Sequence, residues 1–232
     1  MRLAKPNDRM EFEEILDSVP VSASAKARLT KAMGDDSRWY HNVSHIAQLW
    51  RRHRRYGHAE NLVSPAIERL IASAIAFHDC IVEPARRDNE ERSAVVWMRA
   101  SVGAPLEKHD REWVAETIRA TRDHVSYEPR VDIEARDPGE GASAQLRERA
   151  RIWVLDLDLT SMGESEEVFD RNTAWLRREA SHMSEADWRA GQAAFLGRLM
   201  KAPRIYRTPT LANVYEEAAR RNIVRLLTRL AN

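Results

Sequence analysis

Cysteine is almost missing from this chain of 232 residues, in which Cys80 is the single example. One cysteine excludes an intrachain disulfide framework and a zinc site built from several thiolates. Glycine and proline number only 8 and 9, so few positions interrupt regular structure. Neither sign of charge is in excess, with 37 basic against 36 acidic residues. Because binding along nucleic acid needs a surplus of cations, this balance argues against nucleic acid as a partner.

Long apolar runs are also missing. The most apolar stretch, Ile71 to Phe77, is far shorter than the roughly 20 residues that a helix needs to cross a bilayer. The N-terminal segment, Met1 to Glu14, has no apolar region typical of a secretion signal. We therefore expect a cytoplasmic protein that has no membrane partner.

The chain is instead rich in Ala, Leu, Arg and Glu, which are strong helix formers, and it predicts an all-α fold. Two helices are expected before Gly34, the second of them capped by Ser22 or Ser24. Further helices are expected over residues 42–56, 64–83, 89–101, 107–122, 144–159, 165–182, 184–200 and 210–230, the last three with Ser or Thr caps. The turn-rich stretch 136–143 is predicted to be an exposed loop inside one domain, because candidate functional residues lie on both sides of it.

Acids and histidines occur where apolar residues dominate. Burying an ionised carboxylate is costly unless it is paired or bound to a cation, yet Asp156 and Asp158 lie in the apolar run 152–159. The doublet His78-Asp79 ends the most apolar helix, although alone it favours a structural ion pair or a cap. A divalent cation would satisfy both sets of acids, with imidazoles as further ligands. The other candidate ligands are His41 and His45, spaced one helical turn apart, and His124.

Longer motifs surround these residues. They are Tyr40-His-Asn-Val-Ser-His45-Ile, Phe77-His-Asp79, Asp88-Asn-Glu-Glu-Arg-Ser-Ala94, Thr121-Arg-Asp-His124, Asp156-Leu-Asp-Leu159, Arg178-Glu179, Ile205-Tyr-Arg-Thr208 and Glu216-Glu-Ala-Ala-Arg220. With these motifs the chain resembles the HD superfamily of metal-dependent phosphohydrolases, which is named for its histidine-aspartate doublet. The resemblance implies a single-domain helical bundle over residues 1–232. It places the metal-site helices at about 38–160 and a C-terminal helical extension at about 163–232.

The resemblance also implies a ligand set for one divalent metal ion, which would be Mn, Fe, Zn, Ni, Co or Mg. The implied ligands are His45, His78, Asp79 and Asp158, with Asp156 in reserve. An alternative makes His41 the ligand and leaves His45 outside. Where related sequences tend to have an aromatic residue and an aspartate after the doublet, this chain has Val82 and Glu83.

Catalytic and substrate roles follow from that metal site. Asp79 would both ligate the ion and orient a bound water, while His124 would act as an acid or base or bind phosphate. Substrate binding is assigned to three residues of one segment, Arg38, Tyr40 and His41. Trp39 and Tyr40 are aromatic neighbours that would either stack on a substrate ring or, as the favoured alternative, pack in the core. Two further pairs are expected to be structural ion pairs, namely Arg178 with Glu179 and Glu216 with Arg220.

The expected function is hydrolysis of a phosphate ester of a small molecule by a metal-activated water, with a nucleotide as the leading substrate class. One alternative is a non-catalytic helical module that binds a nucleotide or a partner protein. Another is an HD-type di-iron oxygenase, for which His124 and His109 would have to supply additional ligands. The sequence leaves open a homodimer and the identity of the ester.

Overall fold

The computed structural model describes residues 5–131 and 142–231, and these residues form ten α-helices and no β-strand. The helices are α1 (Pro6–Ser18), α2 (Ala23–Met33), α3 (Val43–Tyr56), α4 (Pro65–Phe77), α5 (Asn89–Ala100), α6 (Lys108–Ala120), α7 (Ala142–Leu159), α8 (Glu166–Glu179), α9 (Glu185–Lys201) and α10 (Pro209–Ala231). The predicted all-α fold is confirmed. Most of the predicted loop at 136–143 lies outside the described residues.

Serine side chains begin three of these helices as the sequence predicts. Ser22, Ser165 and Ser184 each accept a hydrogen bond from the backbone N–H three residues later, which satisfies one of the free donors at a helix start. The expected start of α10 at Thr210 is displaced, because the helix begins at Pro209, a residue that suits the first helical turn.

Helix α4 ends earlier than the sequence predicts. The prediction placed its end near Glu83 and Pro84, but the helix stops at Phe77. In a continued helix the carbonyl oxygen of Asp79 would accept from Glu83 N, whereas that of Cys80 would face Pro84, which has no N–H. Both oxygens instead accept hydrogen bonds from the Arg38 guanidinium, at 2.6 and 2.9 Å. The helix thus ends before Pro84, and a side chain from a distant segment binds the carbonyl oxygens that follow its end.

The central position predicted for α4 is present in the structure. This helix packs against α1, α3, α5, α6 and α7, and all of its residues from Leu70 to Phe77 are buried. Fully burying one large aliphatic or aromatic side chain contributes about 1.5–3 kcal/mol, so α4 anchors one hydrophobic core that also holds Trp97 and Trp153. The doublet His78-Asp79 follows directly from this rigid helix.

The C-terminal helices join the same body through a short 3₁₀ turn, Thr160–Gly163, which packs against α10. Gly163 allows this contact, because a Cβ there would lie 2.7 Å from the backbone oxygen of Tyr215. None of the described helices is long and apolar enough to cross a membrane.

His53 on α3 lies in the core with no exposed surface. Its Nδ1 accepts a hydrogen bond from Trp153 Nε1 at 3.0 Å, and its Nε2 has no hydrogen-bond partner, the nearest carboxylate oxygen being Glu68 Oε1 at 3.8 Å. Burial lowers the pKa of His53 from 6.5 to about 4. The folded chain therefore holds this imidazole neutral in a pH range where the unfolded chain protonates it.

This buried imidazole predicts acid sensitivity. Since the folded pKa lies below the unfolded one, stability is lost as the pH falls from about 6.5 through about 4, by roughly 3 kcal/mol in total. We expect His53→Asn, which keeps an acceptor for Trp153, to flatten this part of a plot of unfolding free energy against pH. His182→Asn, at an exposed histidine that does not affect the His53 pKa, is the control and should keep the slope. Equal slopes in wild type and His53→Asn would contradict the prediction.

Candidate metal centre

One end of α3 and one end of α4 meet at a group of imidazoles and carboxylates. His45 lies in the first turn of α3, whose start is fixed by Asn42, because the Asn42 side chain accepts a hydrogen bond from Ser44 N at 2.8 Å. The expectation that His41 and His45 share one helix face is wrong, since α3 begins at Val43 and leaves His41 in the preceding loop. The His41 and His45 rings nevertheless remain close, with centroids 6.0 Å apart.

His78 is oriented by the last turn of α4. Its Nδ1–H donates to the carbonyl oxygen of Ile75 at 2.8 Å, so its Nε2 points away from the helix. A hydrogen bond of this kind at the far ring nitrogen is typical of metal-binding histidines, because it fixes the tautomer and the ring orientation. Asp79 lies outside the helix and turns its carboxylate to the same side, with Oδ2 2.9 Å from His78 Nε2.

The ligand atoms of His45, His78 and Asp79 all lie within 4.8 Å of one another. His45 Nε2 is 3.3 Å from His78 Nε2 and 3.6 Å from Asp79 Oδ2. Atoms that bind one ion at about 2.1 Å are separated from each other by roughly 3.0–3.4 Å. The spacing and the mixed nitrogen and oxygen donors therefore suit a divalent cation.

Asp158 completes this group from α7. Its Oδ1 lies 3.2 Å from His45 Nε2 and 3.5 Å from His78 Nε2, whereas its Oδ2 accepts a hydrogen bond from His124 Nε2 at 2.7 Å. We define the metal cluster as His45, His78, Asp79 and Asp158. Three of the four predicted ligands have ligand atoms within 4.8 Å of one another, and Asp158 contacts the two histidines of that group.

Asp156, the reserve ligand, has a different partner. Its Oδ2 accepts hydrogen bonds from the backbone N–H and the hydroxyl of Thr208, both at 2.7 Å, at the start of α10. Burial raises the pKa of Asp156 to about 6. Of the two acids in this run, Asp158 is the one that contacts His45 and His78.

His124 follows the short 3₁₀ turn after α6, and a side chain from the C-terminal half holds its loop in place. Arg207 donates hydrogen bonds to the carbonyl oxygens of His124 and Tyr127, at 3.1 and 2.7 Å. Arg207 is adjacent to Thr208, which Asp156 binds. The motif at 205–208 thus supports the side of the cluster on which His124 meets Asp158.

Glu179 is the site residue that the sequence did not identify. Its Oε2 accepts a hydrogen bond from His41 Nδ1 at 2.6 Å, and its Oε1 accepts from the backbone N–H groups of Tyr40 and His41, at 2.7 and 3.0 Å. His41 Nε2 then faces the cluster, 3.9 Å from Asp79 Oδ2. The expected ion pair of Glu179 with Arg178 is wrong, whereas the one between Glu216 and Arg220 is confirmed at 2.7 Å.

The other two predicted substrate residues make contacts within the protein. Arg38 donates to the backbone carbonyls of His41, Asp79 and Cys80, so it ties the loop before α3 to the end of α4. Tyr40 donates its hydroxyl to Ser161 Oγ at 2.8 Å, and its ring packs against His45 with centroids 4.9 Å apart. A substrate role for Arg38 or Tyr40 stays a prediction, and these contacts do not support it.

The side chains of the cluster change one another's pKa values. Burial opposes a proton on His78, but the carboxylates of Asp79 and Asp158 outweigh it and raise the His78 pKa well above 6.5. Burial also disfavours the ionised acids, yet the neighbouring His78 lowers the pKa of both Asp79 and Asp158. For His45, burial prevails and lowers the pKa. The two carboxylates therefore stay ionised, next to the His78 ring whose pKa they raise.

The cluster opens to solvent on its acidic side. The side chains of His45 and His78 are only 5% and 2% exposed, whereas those of Asp79, Asp158 and His41 are 18%, 16% and 25% exposed. The imidazoles thus form the floor, and an approaching molecule meets the carboxylates and His41 first.

His109, considered above as an additional ligand for a second metal, lies elsewhere. It is at the start of α6, where its Nε2 is 3.0 Å from Arg147 and 3.4 Å from Asp110. Its side chain is 63% exposed.

Neither the family models nor the curated proteins with which the chain was compared give any match.

Proposed function

We propose that this protein is a metal-dependent phosphohydrolase that cleaves a phosphate ester of a small molecule, with a nucleotide as the leading substrate class. The observation that carries the proposal is the convergence of two imidazoles and two ionised carboxylates at the solvent-facing end of the core. The donor set of two nitrogens and two oxygens suits Mn, Fe, Co, Ni or Zn better than Mg, which prefers oxygen ligands. One ion is proposed.

The chemistry that a divalent ion supplies at such a site is a bound water with its pKa lowered towards about 7 and a polarised phosphoryl oxygen. Asp79 extends beyond the histidine floor with 18% of its side chain exposed, so its carboxylate is placed to orient an attacking water. His124 holds Asp158 through a hydrogen bond, which keeps the Asp158 carboxylate turned towards His45 and His78.

His41 borders the same opening. Because the Glu179 carboxylate can only accept, His41 carries its hydrogen on Nδ1 and directs Nε2 towards the cluster. This nitrogen is proposed to contact the phosphate ester. The paired carboxylate fixes the ring without a contribution from the substrate, so its orientation is set before binding.

The experiment is a panel of phosphomonoesters, phosphodiesters and nucleoside triphosphates, each assayed with Mn, Fe, Co, Ni, Zn and Mg. We expect hydrolysis of at least one class, and we expect the double variant His78→Ala/Asp79→Ala to lose both bound metal and turnover. The chain offers a matched control in a second, surface doublet, His109-Asp110. Its double alanine variant should keep both properties.

Three outcomes would contradict the proposal. Turnover retained in His78→Ala/Asp79→Ala would show that the cluster does not catalyse the reaction. Tight nucleotide binding without hydrolysis of any member of the panel would favour a non-catalytic binding module. Two irons per chain, with oxidation of a substrate, would favour the oxygenase.

A further inference from the structure

Arg178, at the exposed end of α8, has an unusual environment for a surface arginine. Its guanidinium carbon lies 3.6 Å from the centroid of the Trp39 ring, a short distance for a cation on an aromatic face. Within the described chain the guanidinium forms no ion pair and no hydrogen bond, although α8 and its surroundings contain many charged residues. Its neighbour Arg177, by contrast, donates to Glu185 and to two backbone carbonyls.

The stacked pair is close in sequence to the residues that border the metal cluster. Trp39 is two residues before His41, and two residues of extended chain span at most about 7 Å. Arg178 directly precedes Glu179, whose carboxylate binds the His41 ring and the backbone N–H groups of Tyr40 and His41. Trp39 and Arg178 are therefore near neighbours in sequence of His41 and Glu179. The hydrogen bond between His41 and Glu179 borders the metal cluster.

Other arginines around the opening have their donors committed. Arg38 and Arg207 donate to backbone carbonyls, and Arg52 binds Thr160 and Glu164. The cluster itself presents the carboxylates of Asp79 and Asp158. An anionic molecule that extends beyond the cluster thus meets Arg178 as a cation with free donors, held in place by the Trp39 ring.

We propose that Arg178, stacked on Trp39, binds a second anionic group of the ligand whose first phosphate lies at the metal cluster. The inference rests on the proposed function and narrows it to substrates with two anionic groups, either two phosphates or a phosphate and a carboxylate. A guanidinium presents several N–H donors in a planar fork that matches such oxygens. Stacking limits its motion, so less entropy is lost when the anion binds.

The test uses binding rather than turnover. Orthophosphate, pyrophosphate and tripolyphosphate are titrated into the Mn-loaded full-length protein, and dissociation constants are measured by calorimetry. We expect pyrophosphate or tripolyphosphate to bind at least about tenfold more tightly than orthophosphate, which is the size of one charge-assisted hydrogen bond. Arg178→Gln should lose this gain, and its orthophosphate affinity should change much less.

Arg171→Gln is the matched control, since Arg171 is also an exposed residue of α8 and its guanidinium lies 4.7 Å from the Trp175 ring centroid. It should keep the full gain. The inference is overturned if Arg178→Gln keeps the gain, if Arg171→Gln loses it equally, or if wild type binds all three anions equally. Failure of the proposed function is a separate result, because the titration does not require hydrolysis.

Discussion

Asp158→Asn is expected to lose metal binding and hydrolysis together, while Asp156→Asn keeps both. The two acids are separated by one residue on α7, but only Asp158 contacts His45 and His78, at 3.2 and 3.5 Å. An asparagine is nearly the same size and carries no charge, so the folded chain should tolerate it while the cation loses a ligand. We expect metal affinity to fall by more than about 100-fold, beyond the 10–100-fold typical of losing a partner of a ligand.

The measurement is metal content after dialysis, together with turnover on the best substrate of the panel. Asp156→Asn keeps an oxygen that can accept from Thr208, whose hydrogen bonds are the ones that Asp156 makes. The pair of variants therefore separates a loss of ligand from a general disturbance of α7. If Asp156→Asn lost the metal and Asp158→Asn retained it, the assignment of the ligand would be reversed.

The second large effect is stabilisation by the metal. A ligand that binds only the folded state at 100 times its dissociation constant adds about 2.7 kcal/mol of stability. For a chain of 232 residues, where 1 kcal/mol corresponds to about 2–4 °C, the expected rise in Tm is roughly 5–10 °C. The physical reason is that the ligand atoms of the cluster converge only in the folded chain, so the cation binds that state alone.

This rise is measured by thermal unfolding of chelator-treated protein with each ion in turn. His78→Ala/Asp79→Ala should show no rise, and His109→Ala/Asp110→Ala should show the full rise. A rise of the same size in both variants would place the stabilising ion outside the metal cluster. No rise with any ion in wild type would count against a metal site.

Much of the cluster was predictable from residue type and order. Ionised acids inside apolar segments demand a partner, and that rule selected Asp79 and Asp158 without any coordinates. The same rule also selected Asp156, whose partner Thr208 lies 52 residues further on, directly before α10. The burial rule does not distinguish the two acids, and the preference for Asp158 came only from the family resemblance. The distinction depends on which side of α7 each acid faces.

Glu179 and Arg38 both bind partners that are distant in sequence. Glu179 was expected to pair with its neighbour Arg178, because local charge pairs are the default explanation for such doublets. Its partner His41 is 138 residues away in sequence. Arg38 was expected to bind a substrate, but its donors reach the carbonyls of Asp79 and Cys80. Long-range contacts of this kind carry no local pattern.

Residue composition and periodicity by themselves determined that the chain is helical, that α4 is central and that its end carries a histidine and an acid. These properties depend on helix propensity and on burial of apolar side chains, which act along a single segment. Only the tertiary structure decided where α4 stops, which acid of α7 meets His45, and that Glu179 holds His41. Those outcomes depend on directions and distances between helices, and the packing of the whole core sets them.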